Sequence, residues 1–270
     1  MTELTKAFSD LAASGRKGFI PYITAGDPDL NTTYEVMVAL AEAGATVIEL
    51  GVPFSDPMAD GPVIQAACER ALQAGTMLTK VLEVARRAWE KTHVPIVLFS
   101  YLNPLLQYGL EKLAHDAKAS GIAGVLVTDL PAESAQQFSA LLKEQEIDLV
   151  MLIAPTTSDA RLQKIAQHAT GFLYTISVAG VTGARKQLSG DVRDLVARIR
   201  RASQLPVAIG FGISTPEQAR EAWQFADAVV VGSAIVRIIE ADRAHAPQRV
   251  REFAESFTHM TAAVAGKEKA

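Results

Sequence analysis

Eight short apolar runs recur along the chain, each followed by turn residues and then by a segment whose apolar positions repeat with helical spacing. The runs occupy 19–25 (FIPYITA), 46–52 (TVIELGV), 95–101 (PIVLFSY), 124–129 (GVLVTD), 148–154 (DLVMLIA), 171–177 (GFLYTIS), 206–212 (PVAIGFG) and 228–233 (AVVVGS). Their length and nearly unbroken apolar character predict strands buried on both faces. Between them, 131–146 sets Ala135, Phe138, Leu141 and Leu142 on one helical stripe, and 190–202 does the same with Val192, Leu195, Val196 and Ile199. Thr215, Pro216 and Gln218 supply an N-cap, a first-turn proline and a capping-box partner for another helix. The charged N-terminal segment also reads as a helix, with Leu4, Phe8, Leu11 and Ala12 on one face.

Eight strand-then-helix units imply a parallel sheet with right-handed crossovers, and eight is the number that closes a TIM (β/α)8 barrel. The prediction is an α/β barrel of this type with an extra N-terminal helix. An open doubly wound sheet is the rival, but it calls for a shorter chain or a second domain. No Gly/Ser/Pro-rich linker divides the 270 residues, so one domain over 1–270 is expected, with 264–270 as a frayed tail. The long loops follow strands 2 and 6, where a barrel of this kind carries its function.

Composition narrows the picture. A 49% hydrophobic content supports a large core, and 30 acids against 26 bases with no basic cluster disfavour nucleic acid as a partner. The single cysteine, Cys68, excludes an internal disulfide and fits a reducing compartment. The N-terminus lacks a signal-peptide core and no apolar run approaches the roughly 18 residues of a membrane span. A soluble, cytoplasmic protein is expected.

The second run carries the chemistry. A strand this apolar should not hold Glu49, whose burial raises its pKa toward neutrality and suits it to proton exchange. If Ile48 and Leu50 face outward, Val47, Glu49 and Gly51 face the barrel interior, with Glu49 near the C-terminal end where such barrels do their chemistry. Asp60 lies in the following loop and can fold back over the same mouth. A buried ion pair is the competing explanation of Glu49, and turn chemistry that of Asp60. Asp56 reads as a structural or interface residue. Asp27 and Asp129 follow strands and precede helices, which makes capping their simplest role; Asp129 has support of the site floor as an alternative.

Glycine-bearing loops follow strands 6, 7 and 8: 178–185 (VAGVTGAR), 210–214 (GFGIS) and 232–235 (GSAI). Glycine lets backbone N–H groups approach an anion, and a helix starting at Ser233 would aim its positive end there, at strands that build phosphate sites in these barrels. Arg185 and Lys186 add charge, although a solvated loop accounts for them equally well. Other chemistries lack their residues. No strand interior holds a lysine for a Schiff base, no histidine pair has metal-ligand spacing, and no dinucleotide glycine pattern opens a helix. Tyr22, Phe99, Tyr101, Ile153, Tyr174 and Phe211 fall near the mouth, and as a set they would wall a flat apolar pocket. Acid–base chemistry on a small phosphorylated molecule remains.

The stretch 48–61 (IELGVPFSDPMADG) resembles the signature of the tryptophan synthase alpha chain family. The similarity extends to 21–28 (PYITAGDP), 181–183 (VTG), 210–213 (GFGI) and 231–236 (VGSAIV), nearly end to end. The resemblance implies cleavage of indole-3-glycerol phosphate to indole and glyceraldehyde 3-phosphate, with Glu49 and Asp60 as catalytic carboxylates. It implies phosphate contacts from Gly183, Gly212, Gly232 and Ser233, and an indole pocket of Tyr22, Phe99, Leu126, Ile153, Tyr174 and Phe211. Position 22 is often phenylalanine in this family, so the Tyr22 hydroxyl needs a partner. No cofactor is expected on this chain; pyridoxal phosphate belongs to a beta partner, in an assembly of two alpha and two beta chains. That partner is expected to order the loops at 53–60 and 178–190. A lyase without a beta partner, a non-catalytic activating subunit and a sugar-phosphate isomerase are the rival functions.

Overall fold

The computed structural model describes residues 1–176, 190–210 and 212–265. Eight parallel strands, β1 (Gly18–Thr24), β2 (Ile48–Gly51), β3 (Ile96–Ser100), β4 (Ile122–Val127), β5 (Asp148–Ile153), β6 (Leu173–Ile176), β7 (Val207–Gly210) and β8 (Ala228–Val231), close into a barrel in chain order. The closing pair is β1 with β8, where Phe19 stands beside Val229. Each strand lies within the predicted run or overlaps it, and β4 begins and ends two residues early.

Strand alternation divides the core in two. Ile48, Leu50, Leu98, Val125, Leu149, Ile209 and Val229 face outward into the layer between barrel and helices. Ile20, Tyr22, Val47, Val97, Phe99, Leu126, Val150, Tyr174, Ala208 and Val230 face inward and pack together inside the barrel. This is the two-residue period of a strand, read out over eight strands.

The helices beyond the basic repeat position the site. Helix α1 (Glu3–Ser14) closes the N-terminal end of the barrel: its Leu4 and Phe8 join the interior cluster, and the Phe8 ring lies 5.2 Å from that of Phe172. Thr2, which caps α1, donates to the buried Asp148 carboxylate at 2.6 Å and so ties the plug to β5. Leu11 is half-buried, whereas Ala12 of the predicted apolar face is exposed.

After β1 comes α2 (Leu30–Glu42), and after β2 come α3 (Pro62–Gln73) and α4 (Leu78–Thr92). After β3 come α5 (Leu102–Tyr108) and α6 (Leu110–Ala119), then α7 (Ala135–Glu144), α8 (Asp159–His168), α9 (Gly190–Ala202) and α10 (Pro216–Ala222) follow β4 to β7. The predicted helix 131–146 thus begins only at Ala135, because residues 132–134 form a turn. Thr215 and Gln218 make the predicted reciprocal capping box at the start of α10. After β8 come α11 (Ser233–Ala241) and α12 (Ala246–Ala265), so helix extends two residues into the segment expected to be a tail; 266–270 lie outside the described residues. Val63, Ile64 and Ala67 of α3 and Val236 of α11 reach the interior cluster, which places both helices over the barrel.

The plug is a testable part of the core. Leu4 is fully buried among β4, β5 and the start of β6. Leu4→Ala is expected to lower stability by about 3 kcal/mol, read as a shift in the urea midpoint; a change within error would detach α1 from the folding unit.

Candidate active site

Glu49 sits near the C-terminal end of β2 and points inward, between Val47 and Gly51 of its own strand and beside Tyr22 and Val97 of the flanking strands. It is 0% exposed, and neither carboxyl oxygen has a hydrogen-bond partner. Among the described residues no ion pair occupies it, which removes the structural explanation of its burial. Ionising a carboxyl here would leave a charge with neither water nor donor, so burial pushes its pKa up to about 8.

Asp60 approaches from the loop between β2 and α3. Its backbone N–H donates to Pro57 at 3.0 Å, and its carbonyl accepts from the Gln65 side chain at 2.9 Å. The Tyr101 hydroxyl fixes its carboxylate: it donates to Asp60 Oδ2 at 2.8 Å while accepting the Ala59 N–H at 2.9 Å. Burial pushes the Asp60 pKa up to about 6, and the Tyr101 hydrogen bond opposes the rise. The two carboxyls lie close to the same two rings. Burial holds the Tyr22 and Tyr174 phenols well above their ordinary range, and the negative charges of both Asp60 and Glu49 reach each of them.

The wall is apolar. Tyr22 and Phe99 meet edge to face at 5.2 Å, and Leu126 and Tyr174 complete the inward set named from the sequence. Two glycines make room for the tyrosines: a methyl group on Gly51 would collide with the Tyr22 ring and hydroxyl, and one on Gly210 with those of Tyr174. The Tyr22 hydroxyl finds Thr24 Oγ1 at 3.4 Å, the partner its polarity demands. Ile153 is a correction. It packs outward with Leu149 and Met151 in the helix-facing layer, and Leu152, one residue earlier, faces inward with Val150. In a run as uniformly apolar as DLVMLI, composition does not reveal which parity faces the interior.

The glycines expected to face an anion follow β7 and β8. Gly212 follows β7 with φ +88°, a backbone conformation that suits glycine. Gly232 precedes α11 and carries no side-chain cap; the first intrahelical bond runs from Ile235 N–H to Gly232 C=O. The N–H groups of Ser233 and Ala234 therefore have no acceptor within the helix and are available to an anion at the mouth. Gly232 also packs against Tyr22, which joins this end to the ring pocket. Gly183, Arg185, Lys186 and Phe211 lie outside the described residues.

Other acids have structural partners. Asp29, not Asp27, caps α2; Asp27 instead pairs with Arg70. Asp129 accepts the Leu102 N–H at 2.7 Å, so it caps the neighbouring α5 and not the helix that follows it. The Asp60–Tyr101 bond and the Asp27–Arg70 pair had no signal in the sequence, because both join segments about forty residues apart with no shared pattern. Outside the barrel, a cavity of about 780 Å³ lies between the loop and α3, lined by Phe54, Met58, Pro62, Gln65 and Leu72. Neither Glu49 nor Asp60 lines it.

The family model described as tryptophan synthase alpha chain matches residues 8–265. Among curated relatives, the tryptophan synthase alpha chain of Geobacter sulfurreducens is 50% identical over 240 residues, covering 89% of this chain and 91% of its own. That of Solibacter usitatus is 48% identical over 258 residues, 96% of each chain. Among solved structures, Mycobacterium tuberculosis tryptophan synthase superposes with a TM-score of 0.90 at 34% identity, over 97% of this chain and 98% of the other. The alpha subunit from Legionella pneumophila gives 0.88 at 38% identity, over 97% and 99%.

The carboxyl buried at β2 makes stability depend on pH. An unfolded glutamate titrates near 4.5 and the folded Glu49 near about 8. Between these values the folded state keeps a proton that the unfolded state has released, so stability falls as pH rises through the window. Glu49→Gln carries no charge at any pH and is expected to gain on the native protein across that window, by a few kcal/mol at its upper end. Urea midpoints of the two proteins that run parallel with pH would show that Glu49 is not desolvated.

Proposed function

The chain belongs to the tryptophan synthase alpha chain family, and from that premise we propose how its site performs the family's reaction. It is a lyase subunit of tryptophan biosynthesis that cleaves indole-3-glycerol phosphate to indole and glyceraldehyde 3-phosphate. The observation that carries the residue assignment is Glu49, fully buried and without a hydrogen-bond partner at the C-terminal end of a barrel strand, with its charge and that of Asp60 reaching the same two rings.

In this reading the indole ring enters between Tyr22, Phe99, Leu126, Leu152 and Tyr174, and the phosphate is held by the start of α11 and the backbone at Gly212. The unlike environments of the two carboxyls assign their roles. With a pKa of about 8, Glu49 is mostly protonated near neutrality and acts as the acid; with a pKa of about 6, Asp60 is mostly ionised. Glu49 protonates C3 of the ring, and Asp60 stabilises the positive charge that develops on the ring N–H. The Glu49 carboxylate then takes the proton from the glycerol hydroxyl next to the ring. The C–C bond breaks, its electron pair returns to the ring, and indole and the aldehyde form with no net change in protons. The ring is the electron sink, so these steps require no cofactor on this chain.

The family implies a beta-chain partner, and we assign pyridoxal phosphate to it, in an assembly of two alpha and two beta chains. The loop that carries Asp60 offers a docking surface at the mouth. Met58 is 83% exposed there, and Leu106 on α5 is 53% exposed; isolated apolar exposure is ordinary, but this falls on the segment that holds a catalytic carboxylate.

The test is indole release from indole-3-glycerol phosphate by the purified chain, with and without a beta chain. Release that rises with the partner is expected; absence of release in both settings would refute the lyase assignment. Glu49→Gln is expected to abolish cleavage while substrate still binds, and Asp60→Asn to lower turnover by about a hundredfold; near-native turnover in either removes that residue from the chemistry. Tyr101→Phe deletes the hydroxyl that opposes the raised pKa of Asp60. It should move the acid limb of the kcat/KM profile to higher pH and cut turnover about tenfold. An unmoved acid limb would leave Tyr101 with packing alone.

A further inference from the structure

We propose that Arg70 is a positioning residue that fixes the separation between the ring-binding and anion-binding ends of the site; the proposal rests on the function assigned above. The Arg70 guanidinium makes a fork to Asp27 across two bonds of 2.8 Å, Nε to Oδ1 and Nη2 to Oδ2. Its remaining nitrogen, Nη1, reaches Glu240 Oε1 at 2.8 Å. The Asp27 side chain is 4% exposed and that of Arg70 19%, so water competes weakly for the pair. A bidentate guanidinium–carboxylate pair in such a setting fixes orientation as well as distance, which a lysine cannot reproduce.

Three segments meet in this one side chain: the loop between β1 and α2 through Asp27, α3 through Arg70 and α11 through Glu240. Each of the two helices carries one end of the site at its start. Helix α3 begins directly after Asp60, and its Gln65 side chain holds the Asp60 carbonyl. Helix α11 begins at Ser233, where the N–H groups face the mouth. Both helices send apolar side chains into the barrel interior, so neither is free to slide without disturbing the pocket. Arg70 locks the far ends of the two helices together and thereby sets the spacing of their near ends, Asp60 and Ser233.

This role has a signature that a purely structural one lacks. A ligand that spans both ends gains from a fixed spacing, because its second contact forms at no further cost in orientation; a fragment that occupies one end gains nothing. The experiment measures binding to the full chain by calorimetry for three probes: indole, inorganic phosphate, and an indole joined to phosphate through three carbons without hydroxyls.

For Arg70→Ala, the joined ligand is expected to weaken about tenfold while indole and phosphate change by less than about twofold. Methylguanidine should restore the joined ligand, and Arg70→Lys should not. Parallel weakening of all three probes, or unchanged binding of the joined ligand by folded variant, would overturn the proposal. Should Arg70→Ala fail to fold, Glu240→Gln carries the test, since it touches only the half-exposed arm to α11. About threefold weaker binding of the joined ligand alone supports the clamp, and no change refutes it. A native protein that binds the joined ligand no better than its fragments would overturn the functional assignment, and the clamp with it.

Discussion

The site depends on one constraint, an ionisable group placed where neither water nor a hydrogen-bond donor reaches it. Glu49 has no exposed surface and no partner on either oxygen, so its charged form is strongly disfavoured near neutrality. Held neutral, it is a proton donor; once it has given up the proton, the same poor solvation makes its anion a strong base. One residue can therefore act twice in a single turnover without a second titrating group. Asp60 has the same functional group and the opposite state. It lies nearer the loop, and the Tyr101 hydroxyl stabilises its anion. In the proposed mechanism, environment alone separates the acid from the electrostatic partner.

Holding such a group requires a rigid, sealed surround. The barrel interior below it is filled by side chains, and α1 closes the end that faces away from the site, with Leu4 and Phe8 packed into the inner cluster. Above it the packing is opened deliberately. Gly51 and Gly210 leave the space into which the Tyr22 and Tyr174 rings extend, so the aromatic wall rises one layer above the strand positions that bear it. Packed below by the inner cluster and walled above by these rings, the barrel keeps the carboxyl unsolvated. Stability is given up at one residue, and the close packing of eight strands makes that tolerable.

Much of this was legible in the chain. Eight apolar runs with helical intervals set the strand count, and the acid within the second run marked an unusual buried carboxyl, which the structure leaves without an ion pair among the described residues. The glycines after strands 7 and 8 marked the turns there, and α11 starts at Ser233 as expected. The failures share a cause. Ile153 was expected to face inward, where Leu152 does, because both neighbours are apolar and only the sheet register decides which faces inward. Asp27 and Asp129 looked like caps for the helices that follow them, yet one pairs with Arg70 and the other caps α5. Tyr101 read as an aromatic wall residue, while its hydroxyl holds Asp60. In each case a contact between distant segments decided the role, and local pattern holds no record of it.

The two carboxyls also differ in what can move them. Glu49 is fixed by the register of β2 between β1 and β3 and cannot shift without the sheet. Asp60 is held by a single hydroxyl that also binds the backbone of Ala59, so displacement of the loop strains both bonds at once. That loop carries the exposed Met58, two residues from Asp60. A partner that grips the loop therefore acts on Asp60 directly. It reaches Glu49 only through the solvation of the buried carboxyl, since water admitted there would lower its pKa. Loop and sheet thus hold the two carboxyls by separate means, and only the loop-borne one is open to a partner's grip.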